Sequence, residues 1–191
     1  MGRVPWRTLV PLALLLLPAP ATAAARFSEV TGHLSIGYGK LVATAAPAGS
    51  LSLAAGMDYP LARTVRAGFE IGYDMLGSRT VQRGSLFATV DYSAFELAAL
   101  AHWLPERGPV RRVSLGPALV SARGELSVTG GGAGFSDLAV HRTAGAVAAQ
   151  VTLMSARPAP VKPGLELGVR RAFLGGDDAW TLLSARVTVH Y

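Results

Sequence analysis

Apolar and polar residues alternate with a period of two along most of the chain after residue 28. Between residues 64 and 76, one face carries Arg66, Glu70 and Asp74. The opposite face consists of Val65, Ala67, Phe69, Ile71, Tyr73 and Met75. This period is typical of a β-strand with one apolar and one polar face. The pattern recurs elsewhere, at residues 30–38, 50–59 and 183–191, without a convincing helical period, so the sequence predicts an all-β fold.

Connections rich in Gly or Pro divide the alternating region into eight predicted strands. Their predicted bounds are 28–41, 50–60, 64–76, 84–104, 110–129, 136–156, 162–174 and 179–191. Connections that contain proline alternate with Gly-rich, polar connections such as 77–83 and 130–134. An antiparallel meander places successive connections at opposite ends of its sheet. The sequence therefore predicts an eight-stranded antiparallel up-and-down transmembrane β-barrel, with both termini at the proline-marked end.

Three predicted strands, at 84–104, 110–129 and 136–156, are longer than the membrane requires. A strand of about 9–11 residues crosses a bilayer, so we expect the barrel wall to continue beyond the membrane on one side. In the first of these strands the apolar phase changes between Tyr92 and Phe95. One extra residue would produce this change, which predicts a β-bulge near Ser93 and Ala94.

Residues 1–25 have the pattern of a secretory signal peptide. Arg3 and Arg7 precede an apolar stretch from Leu9 to Leu17, and small residues follow at 21–25. Basic, apolar and small-residue segments in this order are typical of export signals. We expect cleavage after Ala23 or Ala25, which leaves residues 26–191 as the barrel domain.

Alternation alone does not show which face of the barrel points outward, but the polar face has the composition of a lumen. It combines Gly, Ala, Ser and Thr with charges of both signs, and small residues suit the narrow interior of an eight-stranded barrel. We expect opposite charges to pair there, Asp58 with Arg66 and Glu166 with Arg186. The charged side chains assigned to the lumen are Asp58, Arg66, Glu70, Asp74, Asp91, Glu96, Glu166, Arg170 and Arg186.

Aromatic residues of the apolar face collect near the strand ends. Tyr59, Trp103 and Tyr191 lie at the proline-marked end, and Tyr38 and Tyr73 lie towards the other end. Two aromatic girdles are typical of outer-membrane barrels. The apolar face is therefore predicted to contact lipid, and the protein to reside in the bacterial outer membrane after export through the periplasm.

The composition fits a surface that largely avoids water. The 191 residues are 50% hydrophobic and only 16% charged, below the roughly 25% of soluble domains. The chain contains no Cys, which excludes a disulfide framework and a Cys-ligated metal site. Its net charge is +6, but the Arg residues are dispersed without interleaved aromatics. Nucleic acid is therefore not an expected partner.

Four strand motifs and the last residues of the chain carry a family resemblance. The motifs are GHLSIGYG at 32–39, GFEIGYD at 68–74, SLGPA at 114–118 and GLELGVR at 164–170. Together with the signal segment, they resemble the small outer-membrane β-barrel domain family of Gram-negative bacteria over essentially the whole chain. The resemblance implies membrane insertion and a structural or interaction role in the envelope, and in some members adhesion or small-solute passage, as in porin-like proteins. The fold alone cannot choose among these roles.

The resemblance also implies partners. The chain ends in VTVHY, which looks like the C-terminal aromatic signal read by the barrel-assembly machinery, with Tyr191 where the family usually has Phe. Outer-membrane lipid and lipopolysaccharide are further expected partners, since basic residues at the predicted outer rim would attract lipopolysaccharide phosphates. These residues are Lys40, Arg79, Arg83 and Arg123. A monomer is expected.

The sequence offers little support for catalysis. Some small outer-membrane barrels are lipid A-modifying enzymes with Ser, His and an acid near the outer rim. Among the four histidines, His141 alone lies near an outer connection, with Thr143 where such an enzyme has Ser and no acid clearly fixed beside it. A metal site made from His141 and Asp137 would have too few ligands. The sequence therefore predicts no catalytic residue, no metal ligand and no cofactor.

Two alternative functions stay open at this point. One is a narrow pore or a lipid A-modifying barrel enzyme. The other is a soluble periplasmic binder of lipocalin type, whose apolar face would point inward.

Overall fold

Eight antiparallel strands, paired in sequence order, close into a barrel. A computed structural model describes residues 30–42, 49–130, 133–154, 160–175 and 178–191 of the chain. The predicted signal peptide, residues 1–25, lies outside the described residues, so it stays a prediction. None of the described residues belongs to a helix long and apolar enough to cross a membrane.

The strand bounds agree with the predicted bounds at most ends to within a few residues. The strands are β1 (Thr31–Val42), β2 (Ser50–Ala62), β3 (Val65–Arg83), β4 (Leu86–Trp103), β5 (Val110–Gly130), β6 (Ala133–Met154), β7 (Lys162–Gly175) and β8 (Asp178–His190). The eight-stranded antiparallel meander predicted from the sequence is confirmed. Both described ends of the chain lie at one end of the barrel, which we call the terminus end; the other is the loop end.

The C-terminal residue joins the first and last strands. β1 pairs with β8 over ten residue pairs, from His33 opposite His190 to Val42 opposite Thr181. Tyr191 extends this seam, because its backbone N–H donates to the Gly32 carbonyl at 3.0 Å and its carbonyl accepts from the Gly32 N–H at 2.9 Å. Closure removes the unpaired edges that an open sheet would expose.

The third strand is longer than the sequence predicted. Its expected end at residue 76 is wrong, because residues 78–83 pair with residues 91–86 of β4 as a regular ladder. The predicted connection is reduced to a tight turn around Gly84, which has a φ of +63°. Residues 78–83 are exposed on both faces. A strand in water on both faces needs no apolar stripe, so the pattern that revealed the other strands is missing here.

The predicted bulge lies on the neighbouring strand. β4 pairs with β5 without a shift at Ser93 or Ala94, so the predicted position on β4 is wrong. The shift falls on β3 between Met75 and Gly77, opposite Ser93, and the additional residue is Leu76, which is fully buried. Within β4 the alternation continues without interruption, and its apolar residues change face because Tyr92 packs against the apolar region of the lumen, whereas Phe95 is exposed on the outer wall.

Four strands continue beyond the barrel as an extension. The predicted lengths indicated this for β4, β5 and β6, but not for β3. β2 stops pairing with β3 at Ser52 opposite Asp74, and β7 pairs with β6 only as far as Phe173 opposite Gly145. Beyond this level, as far as the described residues show, β3, β4, β5 and β6 pair with one another alone, and their side chains are mostly exposed or half-buried. Asp91, which we had assigned to the lumen, lies exposed on this extension, so that assignment is wrong.

The barrel wall presents its large apolar side chains to the outside. Ile36 and Leu119, for example, keep 56% and 57% of their surface exposed on the outer face. Their exposed apolar neighbours include Leu34, Leu53, Phe69, Ile71, Phe95, Leu115, Leu167, Val169, Leu183 and Val187. An apolar surface of this extent is far larger than a soluble monomer tolerates. The lipocalin-type alternative, with this face inside, is therefore excluded.

The lumen is filled by side chains in two regions. Towards the loop end, small and branched apolar side chains pack together, among them Leu41, Leu76, Val120 and Leu182, with Tyr92 and Trp180 against them. Towards the terminus end, the buried side chains are mainly charged or polar. The charged region is the part of the fold with chemistry to explain.

Candidate functional site

A network of buried charges occupies the terminus half of the lumen. Among the buried side chains that the structure describes, five are carboxylates and three are guanidinium groups, accompanied by two histidines. The carboxylates are Asp58, Glu70, Asp74, Glu96 and Glu166; the others are Arg112, Arg170, Arg186, His33 and His102. All of them occupy inward-facing positions of their strands. Charges without water are stable only when each is paired and hydrogen-bonded.

Arg186 lies at the centre of this network. It is directly opposite Glu166 in the β7–β8 ladder, and its Nε donates to Glu166 Oε1 at 2.9 Å. Its Nη2 donates to Glu70 Oε1 at 3.0 Å. Glu70 Oε1 also accepts a 2.8 Å hydrogen bond from Gln150 Nε2. One guanidinium therefore connects strands β3, β7 and β8 across the lumen.

Arg170 forms a second group of ion pairs nearer the loop end. Its Nη1 donates to Asp74 Oδ2 at 3.1 Å, and its Nε contacts a carboxylate oxygen of Glu96. Its Nη2 lies 3.5 Å from Glu70 Oε1. The fork of a guanidinium suits several acceptors at once, since its donors diverge in one plane. Arg170 thereby joins β7 to β3 and β4.

Arg112 forms the third group, nearest the terminus end. Its Nη1 donates to Asp58 Oδ2 at 2.7 Å, and its Nη2 donates to Glu166 Oε2 at 3.3 Å. Arg112 follows soon after the proline-marked connection at 105–109. Its side chain is nevertheless buried in the lumen, because Arg112 shares the inward face of β5 with Ser114 and Ala118.

Three histidines surround the carboxylate of Asp58. The Nε2 of His102 lies 3.0 Å from Asp58 Oδ1, and the Nδ1 of His33 lies 3.9 Å from the same oxygen. His190 stacks on His33, with ring centroids 5.4 Å apart. A ligand atom of His33, one of Asp58 and one of His190 all lie within 4.8 Å of one another.

Each of these histidines makes one further polar contact through a ring nitrogen. The Nε2 of His33 lies 3.1 Å from Glu70 Oε2, and the Nδ1 of His102 lies 2.7 Å from Ser114 Oγ. The Nε2 of His190 lies 3.3 Å from Thr188 Oγ1. These contacts fix the ring orientations within the lumen.

Two glycines make room for the imidazole rings. A Cβ added to Gly56 would lie 2.4 Å from His33 Cε1. A Cβ added to Gly68 would lie 2.0 Å from His102 Nε2 and 2.7 Å from Asp58 Oδ1. The backbone at both positions would accept another residue, but the neighbouring imidazole ring leaves no space for its Cβ. Glycine is therefore required here by the packing of the histidine cluster.

A cavity of about 390 Å³ opens this cluster to the terminus end. Asp58 and His190 contribute to its walls, together with Arg112. Its rim carries further basic side chains, those of Arg66, Arg111 and Lys162. Arg66 Nη1 donates to Thr31 Oγ1 at 2.8 Å within this wall.

The structure brings most of the predicted lumen charges together, with one difference in pairing. Glu70, Asp74, Glu166, Arg170 and Arg186 all belong to the network described above. In the β2–β3 ladder, Asp58 stands opposite Gly68, whereas Arg66 stands opposite Pro60. Our expected alignment of Asp58 with Arg66 therefore misses the register by two residues, because the turn between β2 and β3 lies at Arg63 and Thr64.

Sequence reasoning missed several members of the network: His33, His102, Arg112, Gln150 and His190. A signal was present, because His33 and His190 stand at polar positions of the alternating pattern in the first and last strands. The partners come from strands separated by up to 116 positions in sequence. No local pattern ties such positions together.

The aromatic residues predicted as girdles all lie exposed on the outer wall. Tyr59, Trp103 and Tyr191 stand at the terminus end of their strands, and Tyr38 and Tyr73 stand towards the loop end. The ring of Tyr191 covers Gly32, where an added Cβ would lie 2.6 Å from the ring.

The basic residues assigned to the outer rim occupy two levels. Lys40 is exposed on the barrel wall two residues from Tyr38, whereas Arg79, Arg83 and Arg123 belong to the extension. Arg123 forms an exposed ion pair with Glu125. His141 and Thr143 are both exposed on β6. The side chain of Asp137 lies outside the described residues.

Comparisons with known proteins identify the architecture. No protein-family model matches the chain, and no curated protein is significantly similar to it. Among solved structures, the chain is similar to Ail, the attachment invasion locus protein of Yersinia pestis, in its complex with the heparin analogue sucrose octasulfate. The sequence identity is 14% and the TM-score 0.55, and the match covers 85% of this chain and 99% of Ail. Neisserial surface protein A is 16% identical with a TM-score of 0.53, covering 84% and 95%. The chain therefore has the fold of small eight-stranded outer-membrane β-barrels.

Proposed function

We propose that this chain is an integral outer-membrane β-barrel protein of a Gram-negative bacterium, with a structural or interaction role in the envelope. The observation that carries the proposal is the inversion of the wall, with apolar side chains such as Ile36 and Leu119 outside and paired charges inside. In water, the outer face would expose an apolar surface on every strand. In a bilayer, that surface contacts hydrocarbon and the closed ladder satisfies the backbone.

The filled lumen favours a structural barrel over a pore. The apolar region around Leu76 and the charged region around Arg186 are both buried. An eight-stranded barrel has an interior just wide enough for side chains, so an open channel needs more strands. Passage of solutes would require the ion pairs of Arg112, Arg170 and Arg186 to separate.

The extension supports an interaction role. Its four strands hold charged and polar side chains above the level at which the barrel ends, on both faces of a sheet. A purely structural membrane plug has no use for strands of 18 to 22 residues, because about 9–11 cross the bilayer. We place the extension at the cell surface, where it can meet other molecules.

Lipopolysaccharide is the partner we propose at the outer rim. Lys40 and Arg123 stand at or just above the apolar wall, and Arg79 and Arg83 stand higher. Lipopolysaccharide phosphates are attracted to such cations. Replacement of all four by Gln should weaken lipopolysaccharide binding, whereas replacement of Arg63 and Arg107 at the terminus end should not. Equal binding by the fourfold variant would contradict this assignment.

We further propose that the protein is not an enzyme. His141 and Thr143 lie on an exposed strand face, and a nucleophile needs a base held at hydrogen-bonding distance by a third group. The lipid A-modifying alternative would be promoted if the purified protein deacylated lipid A and His141→Ala abolished that activity.

Fractionation tests the proposed localisation and topology together. The protein should separate with the outer membrane and migrate differently on a detergent gel before and after boiling, because folded barrels resist detergent at low temperature. Recovery in the soluble periplasmic fraction, with one mobility under both conditions, would overturn the proposal.

A further inference from the structure

We propose that His33, Asp58 and His190 form a binding site for one divalent transition-metal cation, Zn²⁺ being the best match, at the terminus end of the lumen. His102 positions the carboxylate of Asp58 for this site. The proposal goes beyond the envelope role, and the metal can bind whether or not the extension has a partner.

The first argument is convergence. Three of the four histidines of the chain meet around one carboxylate, although they come from β1, β4 and β8. The Nδ1 of His33 and the Oδ1 of Asp58 are 3.9 Å apart, a span that a metal with bonds of about 2.0–2.2 Å to each can bridge. One ligand atom each of His33, Asp58 and His190 also lie within 4.8 Å of one another.

The second argument is the orientation of the rings. His33 Nε2 lies 3.1 Å from Glu70 Oε2, while its Nδ1 is on the side of Asp58, 3.9 Å from Oδ1. Metal-ligating histidines commonly donate their other N–H to a carboxylate in this manner. Asp58 is 3% exposed. Its carboxylate is held through both oxygens, because Arg112 Nη1 donates to Oδ2 at 2.7 Å and His102 Nε2 lies 3.0 Å from Oδ1. These contacts keep Oδ1 on the side of His33 Nδ1, 3.9 Å away.

The third argument is the charge balance. The buried network contains five carboxylates and three arginines among the described residues. With neutral histidines, five carboxylates and three guanidinium groups leave the network with a net charge of −2, although each carboxylate contacts an arginine. One divalent ion next to Asp58 would bring the network to neutrality, and burial makes such a balance worth more than it is in water.

Imidazole nitrogen with one carboxylate is a donor set that suits zinc and related first-row metals, and it suits Ca²⁺ or Mg²⁺ poorly. Asp58 and His190 line the 390 Å³ cavity at the terminus end, so a cation can reach the site from the periplasm and keep a water in its remaining position.

Two features of the site limit the affinity for the cation and the rate of its binding. Arg112 Nη1 lies 3.4 Å from His33 Nδ1 and competes for it, and the basic rim of the cavity repels cations, an effect that salt screens.

The test is calorimetric titration of Zn²⁺ into the protein, purified from outer membranes without a polyhistidine tag, in detergent at about 0.5 M salt to screen the rim. We expect one Zn²⁺ per barrel and no comparable binding of Ca²⁺. The variant His190→Gln should bind Zn²⁺ at least about tenfold more weakly. The matched control is His141→Gln, which removes the exposed histidine of the extension and should leave the affinity unchanged.

Folding is controlled by the mobility difference between unheated and boiled samples, which His190→Gln should retain because His190 is only half-buried at the end of β8. Ser114→Ala, which removes the contact of His102 Nδ1 and contacts no proposed ligand, should weaken binding about tenfold as well. Absence of stoichiometric Zn²⁺ binding, or equal affinity in wild type and His190→Gln, would overturn the proposal. Weakening by His141→Gln alone would assign the metal to the surface and would likewise overturn it.

Discussion

Arg186 and Glu166 face each other across β7 and β8, with Arg186 Nε donating to Glu166 Oε1 at 2.9 Å inside a lumen that excludes water from both side chains. Arg186 also holds Glu70 on the opposite side of the barrel. The pair therefore links neighbouring strands by one contact and distant strands by the other. It explains how a narrow barrel keeps charged residues at inward positions, because each charge lies beside one of opposite sign.

Replacement of Arg186 by Leu should destabilise the barrel strongly. The change leaves Glu166 and Glu70 as buried carboxylates without their central cation, and loss of one partner of a buried pair costs about 3–5 kcal/mol. The free energy of unfolding can be measured by urea titration of the protein in lipid vesicles. Membrane insertion itself should persist.

The matched control for this variant is Arg171→Leu. Arg171 follows the buried Arg170 in β7 but points outward, and its Nη1 donates to Thr181 Oγ1 at 3.4 Å. It should change the unfolding midpoint by little. An unchanged midpoint in Arg186→Leu would show that the lumen charges do not stabilise the fold.

Substitutions at the adjacent positions Leu76 and Met75 should differ in their effect on the free energy of unfolding. Leu76 is the additional residue of the β3 bulge and is fully buried in the apolar region of the lumen, whereas Met75 points outward. Leu76→Ala should lower the unfolding free energy by about 2–5 kcal/mol. Met75→Ala creates no internal cavity and should cost clearly less, as measured by the temperature at which the folded gel band disappears. Equal losses would mean that the bulge does not direct Leu76 into the lumen.

Gly68 predicts the effect of one methyl group near the histidine cluster. A Cβ at this position would lie 2.0 Å from His102 Nε2, so Gly68→Ala must displace His102 from Asp58. We expect a lower unfolding midpoint, measured in urea. Gly145→Ala is the control, because a Cβ there meets nothing within 4 Å. Tolerance of Gly68→Ala equal to that of Gly145→Ala would contradict the packing described for this cluster.

The last residue should matter for assembly more than for final stability. Tyr191 extends the β1–β8 seam through two hydrogen bonds with Gly32 and covers it with its ring. We propose that Tyr191 is also the aromatic residue read by the barrel-assembly machinery. Tyr191→Ala should reduce the folded fraction in the outer membrane of growing cells, while Tyr191→Phe should restore it. A normal folded fraction in Tyr191→Ala would exclude that role.

Strand positions in the membrane could be predicted from the sequence because lipid on one face and a packed lumen on the other impose a strict alternation. β1, β2 and β8 show it clearly, and Glu166 and Arg186 lie opposite each other as the hairpin geometry suggested. The prediction was poorer where this constraint ends. The β3 segment 78–83 is exposed on both faces, and the apolar residues of β4 change face because Tyr92 packs inside the lumen, which in the sequence looks like a bulge.

The histidine cluster could not be predicted from the sequence for a different reason. His33, His102 and His190 are far apart in the chain, and each alone is an ordinary polar-face residue. His33 and His190 meet because closure of the barrel brings β1 beside β8. His102 joins them because it and His33 both approach Asp58 from the lumen. Contacts across a barrel depend on strand stagger, which alternation within a strand does not encode.

Cysteine labelling tests the central claim, that the apolar wall lies in lipid and the extension lies outside it. The chain has no Cys, so Ile36→Cys on the wall and Val81→Cys on the extension each introduce a single thiol. With a membrane-impermeant maleimide on intact cells, Val81→Cys should be labelled and Ile36→Cys should not, although both should react after denaturation. Labelling of Ile36→Cys in the folded protein to the same extent as Val81→Cys would contradict the account.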